Sequence, residues 1–346
     1  MPELRQDPTT KEWVVIATER AKRPDELRLT GGTVRDAAAH ADNCPFCPGN
    51  ERLTPSEVFT LPSPEGVRGS TWRVRVVPNK FAAFQPEEMV HRVASGGFFN
   101  RKDAFGHHLV IIQTPFHDRI LPLMNDSEIL DVLQTYCHLY EELRKDRGIK
   151  LILLFSNHGL RAGSSLQHPH SQLVASPLIP LHIRKKYEVA IRHYDDTGRC
   201  LYCDVVQEEK AAANRVVAET DRLLVFHPFA SRVPFETWIV PKDHNPCLAR
   251  SSKKELVELA SVLRKSLRGL HDALGNPDLN IIAHTAPVED EEKPYFLWHV
   301  EIHPRLTTPA GFELGTGIYI NTAVPEETAP FLRPFLAAAP AVEEQK

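Results

Sequence analysis

The feature of the sequence that most constrains the fold is a pair of Cys-x-x-Cys motifs that begin the same order of segments. After Cys44 and Cys47 come a β-rich segment, a strand that ends at a histidine, an amphipathic helix, another strand and a histidine-rich segment. The same order follows Cys200 and Cys203. Because self-similarity along a chain indicates a repeated structural unit, the sequence predicts an α+β fold in which one unit is duplicated in tandem.

Each copy contains one helix that can be read from its pattern. In the first copy, Ser127 stands at the expected N-cap position, and apolar residues recur at helical spacing up to Gly148. In the second copy, Ser251 or Ser252 is the expected cap and Gly275 the expected end. Both apolar stripes are one-sided, which predicts that each helix packs on an antiparallel sheet. The stripe of the second helix consists of Leu256, Leu259, Leu263, Leu267 and Leu270.

The repeat also sets the expected domain boundaries. We predict an N-terminal domain over residues 1–180, a C-terminal domain over residues 181–335 and a frayed tail over residues 336–346. Residues 1–43 precede the first motif and read as an arm of the N-terminal domain. The segment from residue 178 to residue 199 is the expected connection between the copies.

Composition excludes several classes of protein. At 346 residues with 42% hydrophobic content, the chain is large enough for two domains with cores of their own. The formal net charge is −4 and the lysines and arginines are dispersed, which argues against a nucleic-acid-binding face. No signal-peptide core or membrane-spanning run is visible, so we expect a cytoplasmic protein that neither enters a membrane nor binds nucleic acid.

The first Cys-x-x-Cys motif predicts a zinc site. In a reducing compartment two cysteines at this spacing suit a metal better than a disulfide. They supply half of a tetrahedral site, and the other two ligands must come from elsewhere in the fold. His117, at the end of a strand, and His168, in the histidine-rich segment, complete the predicted set with Cys44 and Cys47.

The second motif predicts a second zinc site by the same logic. Cys200 and Cys203 would be joined by His244, again at the end of a strand, and by His299. Three neighbours compete with His299 for the fourth position: His284, Glu301 and His303.

The segment SLQHPHSQLVAS carries the predicted catalytic chemistry. If it is extended, His168, His170 and Gln172 lie on one face, because side chains alternate along a strand. A neutral imidazole is a competent nucleophile near pH 7, and attack on phosphorus gives a phosphoramidate that stays reactive. A polar loop just before it offers groups that could cradle a phosphate: Asn157, Ser164 and Ser165. The residues alone leave a second interpretation open, in which the loop is ordinary and His170 binds a metal with its neighbours.

Several segments together resemble the galactose-1-phosphate uridylyltransferase family of the histidine-triad superfamily. They are HPHSQ, NCPFCPGNE, ERAKRP, VVPNKFAAF, PFETWIVPKDH and GFELGTGIYIN, and the resemblance runs from about residue 5 to about residue 325. It implies two tandem histidine-triad-like domains, each an antiparallel sheet with packed helices. It also implies a homodimer that acts on a nucleotide sugar and a sugar 1-phosphate.

The resemblance implies a role for each matching residue. His170 would attack the α-phosphate of the nucleotide sugar, and the backbone carbonyl of His168 would orient the His170 ring. Gln172 and Ser165 would hold phosphate oxygens. The residues implied to contact the nucleotide are Arg20, Arg23, Asn79, Asn157 and Ser164.

The leading functional prediction is a UDP-glucose:hexose-1-phosphate uridylyltransferase that works by double displacement. Three departures from the family pattern favour a branch that includes ADP-glucose phosphorylase: the second Cys-x-x-Cys motif, Ser171 and the GFELGTGIYIN segment. In that segment Thr316 and Gly317 stand where the family has a tyrosine and a glutamate that contact the hexose. An adenylyltransferase of that branch is therefore the alternative, followed by a nucleotide hydrolase and a non-catalytic zinc module.

Overall fold

A ten-stranded antiparallel sheet forms the centre of the protein, with the order β3-β4-β5-β7-β6-β11-β12-β10-β9-β8. The computed structural model describes residues 1–17, 27, 38–63, 70–86 and 98–339. The strands of this part of the chain are β1 (Glu3–Gln6), β2 (Trp13–Ile16), β3 (Phe59–Pro62), β4 (Trp72–Pro78), β5 (His107–Ile112), β6 (Leu151–His158), β7 (His170–Ser176), β8 (Val216–Glu219), β9 (Leu223–Phe226), β10 (Thr237–Pro241), β11 (Leu279–His284), β12 (His299–Pro304) and β13 (Tyr319–Asn321). The helices are α1 (Asp126–Leu143), α2 (Leu181–Thr197), α3 (Leu201–Ala212), α4 (Lys253–Leu274), α5 (Gly311–Thr316) and α6 (Pro325–Ala337).

The strand order confirms the predicted α+β duplication. Each half of the sheet contains five strands. From its outer edge to the centre, the first three follow chain order and the last two are exchanged. In each half one long helix, α1 or α4, lies in sequence between the third and fourth strands. The two copies meet where β6 pairs with β11, with Ser156 opposite Ile281. Because both copies share one sheet, the division at residues 180 and 181 stays a prediction.

Helices α1 and α4 cover one face of the sheet and supply its largest core. Ser252 caps α4 by accepting a hydrogen bond from the Glu255 N–H, and Gly275 ends it at a φ of 74°, as predicted. The predicted cap of α1 was wrong. Asn125 takes that place, because its side chain accepts from the Glu128 N–H while the Glu128 carboxylate accepts from the Asn125 N–H. Ser127 lies in the first turn instead.

The opposite face of the second copy is covered by two helices, the first of which lies in the segment that was expected to be the connection between the copies. Residues 178–199 contain α2, and α3 follows at once. A second core cluster joins these helices to β9 and β10, with Tyr187 and Tyr202 packed beside Phe226 and Trp238. The connection is therefore a structural layer.

The N-terminal arm associates with the second copy. Strands β1 and β2 form a small sheet with β13, where Val15 pairs with Ile320. Arg5 also makes an ion pair with Glu326 at 2.9 Å. At the other end, α6 continues to Ala337, two residues into the predicted tail, and residues 340–346 lie outside the described part. Among the described helices, none is long and apolar enough to cross a membrane.

Candidate active site

The four residues of the first predicted zinc site converge on one point. The ligand atoms of Cys44, Cys47, His117 and His168 all lie within 4.8 Å of one another, and all four residues are buried. Cys47 Sγ is 3.4 Å from His117 Nδ1 and 3.6 Å from His168 Nδ1. Two thiolates and two imidazoles in a closed, buried group are a donor set that structural zinc takes. The residues therefore fit the predicted metal.

The surroundings of this group leave its ligand atoms ready for a cation. His168 Nε2 donates to the Thr114 carbonyl at 2.8 Å, which leaves Nδ1 bare and facing Cys47. Burial lowers the pKa of His168 to about 4, which favours the neutral ring. Burial raises the pKa of Cys47 to about 11, so the thiolate needs a nearby cation.

His170 begins β7 and presents one bare ring nitrogen. Its Nδ1 lies 2.8 Å from the His168 carbonyl, which can only accept, so Nδ1 carries the proton and Nε2 does not. The side chain is buried and lies edge-on to the Phe46 ring, with 5.4 Å between the ring centroids. Burial lowers the pKa of His170, although the carbonyl opposes the shift. A neutral imidazole with a free Nε2 is the form that attacks phosphorus.

The loop that follows β6 forms a pocket beside His170. Asn157 and Ser164 line this pocket together with His168 and His170. Ser164 Oγ donates to the Leu166 carbonyl at 2.8 Å, which holds the loop closed on itself. The pocket thus brings polar groups of the predicted phosphate cradle next to the bare imidazole nitrogen.

The second copy supports this loop. Asn280 Nδ2 on β11 donates to Asn157 Oδ1 at 2.8 Å and to the Ala162 carbonyl at 2.9 Å. Gly159 has a φ of +89°, and a Cβ on it would lie 1.8 Å from Asp278 Oδ1, so only glycine fits there. The second copy, which lacks the HPH motif, therefore stabilises the pocket loop of the first copy, which has it.

Gln172 and Asn79 lie together further along the same face of the sheet. Gln172 is two residues from His170 on β7, and its Oε1 is 3.5 Å from Asn79 Nδ2. Ser165 is exposed on the loop and is not among the residues that line the pocket. Arg20 and Arg23 lie outside the described residues.

Ser171, one of the departures from the family pattern, faces the other way. It alternates with His170 and Gln172 on β7, on the side of Leu173 and Ala175, which belong to the core under α1 and α4. Its Oγ is buried and has no hydrogen-bond partner in the described part of the chain. Ser171 therefore does not contact a substrate on the His170 face.

The second Cys-x-x-Cys motif forms a three-residue group. Cys200 is the N-cap of α3, and Cys200, Cys203 and His244 bring their ligand atoms within 4.8 Å of one another. Cys203 Sγ is 3.4 Å from His244 Nδ1. A hydrogen bond with Cys203 lowers the pKa of Cys200 to about 5, which favours a thiolate. Three N and S donors can hold zinc and leave one coordination position open.

The predicted fourth ligand, His299, belongs to a different group, and that prediction needs correction. Its ring is stacked between Trp238 and His284, with both centroids 4.8 Å away. Its Nδ1 donates to the Leu297 carbonyl at 3.0 Å, and its Nε2 lies 3.3 Å from Glu301. These contacts hold the imidazole away from the Cys200 group.

A lysine forms an ion pair with the carboxylate of this other group. His284, His299 and Glu301 have the arrangement of metal ligands, but Lys186 Nζ lies 2.7 Å from Glu301 Oε1. The Lys186 and Glu301 side chains are 2% and 7% exposed. Burial opposes ionisation of Glu301, but Lys186 and His284 hold its pKa well below the usual range. The ammonium of Lys186 thus supplies the positive charge that balances this carboxylate.

Replacing Lys186 with methionine is expected to destabilise the protein by about 3–5 kcal/mol, because the change leaves a buried carboxylate without its cation. Urea unfolding measures the loss. Lys185→Met, at an exposed neighbour with 46% of its side chain accessible, is the control and should cost at most about 0.5 kcal/mol. Equal stability of Lys186→Met and the unmodified protein would mean that another group balances Glu301.

Three supporting residues were missed by the sequence analysis: His108, Lys186 and Asn280. A lysine on a helix is normally solvated, so no pattern in the sequence indicates that Lys186 is buried. His108 and Asn280 contact the site across strands, and strand pairing is not visible in one sequence. Only the pair His107-His108 next to a predicted strand was a usable signal.

Comparisons with known proteins agree with this geometry. The family model described as galactose-1-phosphate uridyl transferase, N-terminal domain, matches residues 1–180, and a model of a domain of unknown function matches residues 127–338. ADP-glucose phosphorylase of Arabidopsis thaliana is 32% identical over 343 residues, covering 96% of this chain and 92% of that protein. Galactose-1-phosphate uridylyltransferase of Thermotoga maritima is 30% identical over 342 residues, covering 96% of this chain and 98% of that protein.

A solved structure extends the similarity to three dimensions. The crystal structure of the Arabidopsis thaliana ADP-glucose phosphorylase with bound ADP-glucose has a TM-score of 0.80 to this chain at 30% identity. The match covers 96% of this chain and 99% of that one. The shared fold therefore extends over both copies of the repeat.

Proposed function

The chain belongs to the galactose-1-phosphate uridylyltransferase family and is a nucleotidyltransferase, and from this premise we propose that it passes a nucleoside monophosphate through a covalent intermediate on His170. The observation that carries the proposal is the bare Nε2 of His170, set by the 2.8 Å hydrogen bond from Nδ1 to the His168 carbonyl. The adjoining pocket, which Asn157 and Ser164 line, supports a phosphate site beside that nitrogen.

The proposed reaction has two displacements at the same phosphorus atom. In the first, the Nε2 lone pair forms a P–N bond with the α-phosphorus of a nucleoside diphosphate sugar, and the P–O bond to the sugar phosphate breaks with its electron pair on the leaving oxygen. In the second, an oxygen of a phosphorylated acceptor attacks, and the P–N electrons return to Nε2. The imidazole is cationic between the steps, and the His168 carbonyl, already bonded to Nδ1–H, stabilises that charge.

The other predicted site residues take supporting roles in this proposal. Gln172 and Ser165 would hold phosphate oxygens, since an amide and a hydroxyl can both donate to them. The proposed nucleotide contacts are Arg20, Arg23, Asn79, Asn157 and Ser164. Support for this part comes from Asn157 and Ser164, which line the pocket of His170.

Zinc has a structural role in the proposal. Cys44, Cys47, His117 and His168 would hold one ion, and a closed set of four ligands leaves it no position for substrate. These residues fix His168, and with it the carbonyl that orients His170. A second zinc on Cys200, Cys203 and His244 is proposed from their grouping.

Two donors are candidates. UDP-glucose with a hexose 1-phosphate as acceptor is the first, supported by the family model and by relatives named galactose-1-phosphate uridylyltransferase. ADP-glucose with inorganic phosphate as acceptor is the second, favoured by the phosphorylase relative with 32% identity and by the TM-score of 0.80.

Product analysis with purified enzyme separates these candidates. The enzyme is incubated in one mixture with UDP-glucose and galactose 1-phosphate, and in a second mixture with ADP-glucose and phosphate. Each mixture is repeated without its acceptor. The proposal expects UDP-galactose and glucose 1-phosphate from the first mixture. Without the acceptor it expects no UDP-galactose and no more than one glucose 1-phosphate per active site. ADP and glucose 1-phosphate from the second mixture alone would select the phosphorylase activity. Free nucleoside monophosphate without any acceptor would identify a hydrolase.

The homodimer and the cytoplasmic location also stay proposals. The described part of α5 exposes Phe312 and Leu314, at 48% and 79%, which supports a contact with a second subunit. Sedimentation of the purified protein tests the dimer.

A further inference from the structure

We propose that His108 is a positioning residue that fixes the orientation of the Gln172 side-chain amide towards the substrate. His108 lies on β5, half-buried, with its Nε2 2.7 Å from Gln172 Oε1. The inference rests on the proposed function in one respect, the contact of Gln172 with a phosphate oxygen. The orientation of the Gln172 amide follows from the hydrogen bonds around it and does not depend on the proposed function.

The protonation of the His108 ring follows from its contact with the backbone. The Ala83 backbone N–H donates to His108 Nδ1 at 3.1 Å. A backbone N–H can only donate, so Nδ1 carries no proton, and the neutral ring must carry it on Nε2. Nε2–H therefore donates to the side chain of Gln172.

This donor decides which end of the Gln172 amide faces His108. If the amide were turned over, its NH₂ group would meet the Nε2–H at 2.7 Å, donor against donor. The oxygen of Gln172 must then face His108. Its NH₂ group points away, and no hydrogen bond within the described part of the chain uses it.

Asn79 reinforces the same orientation. Its Oδ1 accepts from the Phe81 backbone N–H at 2.9 Å, so its Nδ2 faces the pair, 3.1 Å from His108 Nε2 and 3.5 Å from Gln172 Oε1. An amide NH₂ can only donate and a protonated His108 Nε2 cannot accept, so the Asn79 hydrogen bond goes to the Gln172 oxygen. Two donors, each fixed by a backbone N–H, converge on one oxygen. The free NH₂ of Gln172 stays a donor on the face of β7 that carries His170, where an anionic phosphate oxygen would accept from it.

The first test measures the tautomer without any activity. In protein labelled with ¹⁵N-histidine, NMR shifts of the His108 ring, assigned by comparison with His108→Leu, should report the neutral form with the proton on Nε2. A proton on Nδ1 would overturn the inference. This result does not depend on whether the enzyme transfers a nucleotide.

The second test measures the rate at which the donor loads His170 in a single turnover. His108→Leu should slow loading about tenfold, the effect of one lost hydrogen bond. His108→Gln, whose amide can donate to Gln172, should restore most of the rate. The matched control is His107→Leu, because His107 points to the other face of β5 and pairs opposite Ala175. It should load at the unmodified rate.

A double-mutant cycle shows whether His108 acts through Gln172. In a Gln172→Ala background, His108→Leu should slow loading less than about twofold, because the amide that His108 positions is gone. A full tenfold cost in that background, or normal loading by His108→Leu alone, would overturn the inference. Absence of loading in the unmodified protein would instead refute the proposed function, and the tautomer measurement would then decide on His108 separately.

Discussion

His170→Ala is expected to lose nucleotidyl transfer by at least about 10⁴-fold while keeping its fold and its metal. The reason is chemical. The neighbouring His168 cannot replace His170, since its Nε2 is bonded to the Thr114 carbonyl and its Nδ1 is turned to Cys47. The rate of exchange between donor and acceptor measures the loss.

The same variant separates catalysis from structure. Alanine at 170 removes neither a proposed zinc ligand nor the His168 carbonyl, so zinc content and urea midpoint should stay near those of the unmodified protein. His138→Ala, at an exposed histidine on α1, is the matched control and should keep full activity. Transfer by His170→Ala at a normal rate would rule out the covalent route proposed here.

Cys44→Ser is expected to lose one zinc equivalent and at least about 3 kcal/mol of stability, because structural zinc contributes folding free energy directly. The four ligands join a turn at Cys44 and Cys47 to the turn that follows β5 and to the segment just before β7, so their loss releases several segments at once. Metal analysis by mass spectrometry and urea unfolding measure the two effects.

A half-buried cysteine outside both metal groups provides the control. Cys137 on α1 belongs to neither group, and burial raises its pKa to about 12, which keeps it a thiol. Cys137→Ser should retain all its zinc. Full metal content in Cys44→Ser would mean that the ion is held by other residues, and a loss of two equivalents would mean that the two sites are coupled.

The sequence predicted the elements that carry a local signal. The order of segments after each Cys-x-x-Cys motif predicted the duplicated sheet, and the four residues of the first zinc group do lie together. Spacing alone placed His170 and Gln172 on one face of a strand, since alternation along β7 needs no tertiary information.

The parts that failed depend on contacts between distant segments. His299 was assigned to the second zinc by analogy with His168, but Trp238 and His284 stack on its ring and hold it elsewhere. Burial of Lys186 follows from its pairing with Glu301, 115 residues away. The cap of α1 moved to Asn125 because two neighbouring residues could both cap, and only the reciprocal bond to Glu128 decides between them.

The covalent intermediate is tested most directly by the intact mass of the zinc-loaded protein after incubation with UDP-glucose, UDP-galactose or ADP-glucose, each without acceptor. The proposed mechanism predicts an added nucleoside monophosphate that maps to His170 and disappears when the acceptor is supplied. A protein that turns over substrate with no adduct, or with an adduct on another residue, would contradict it.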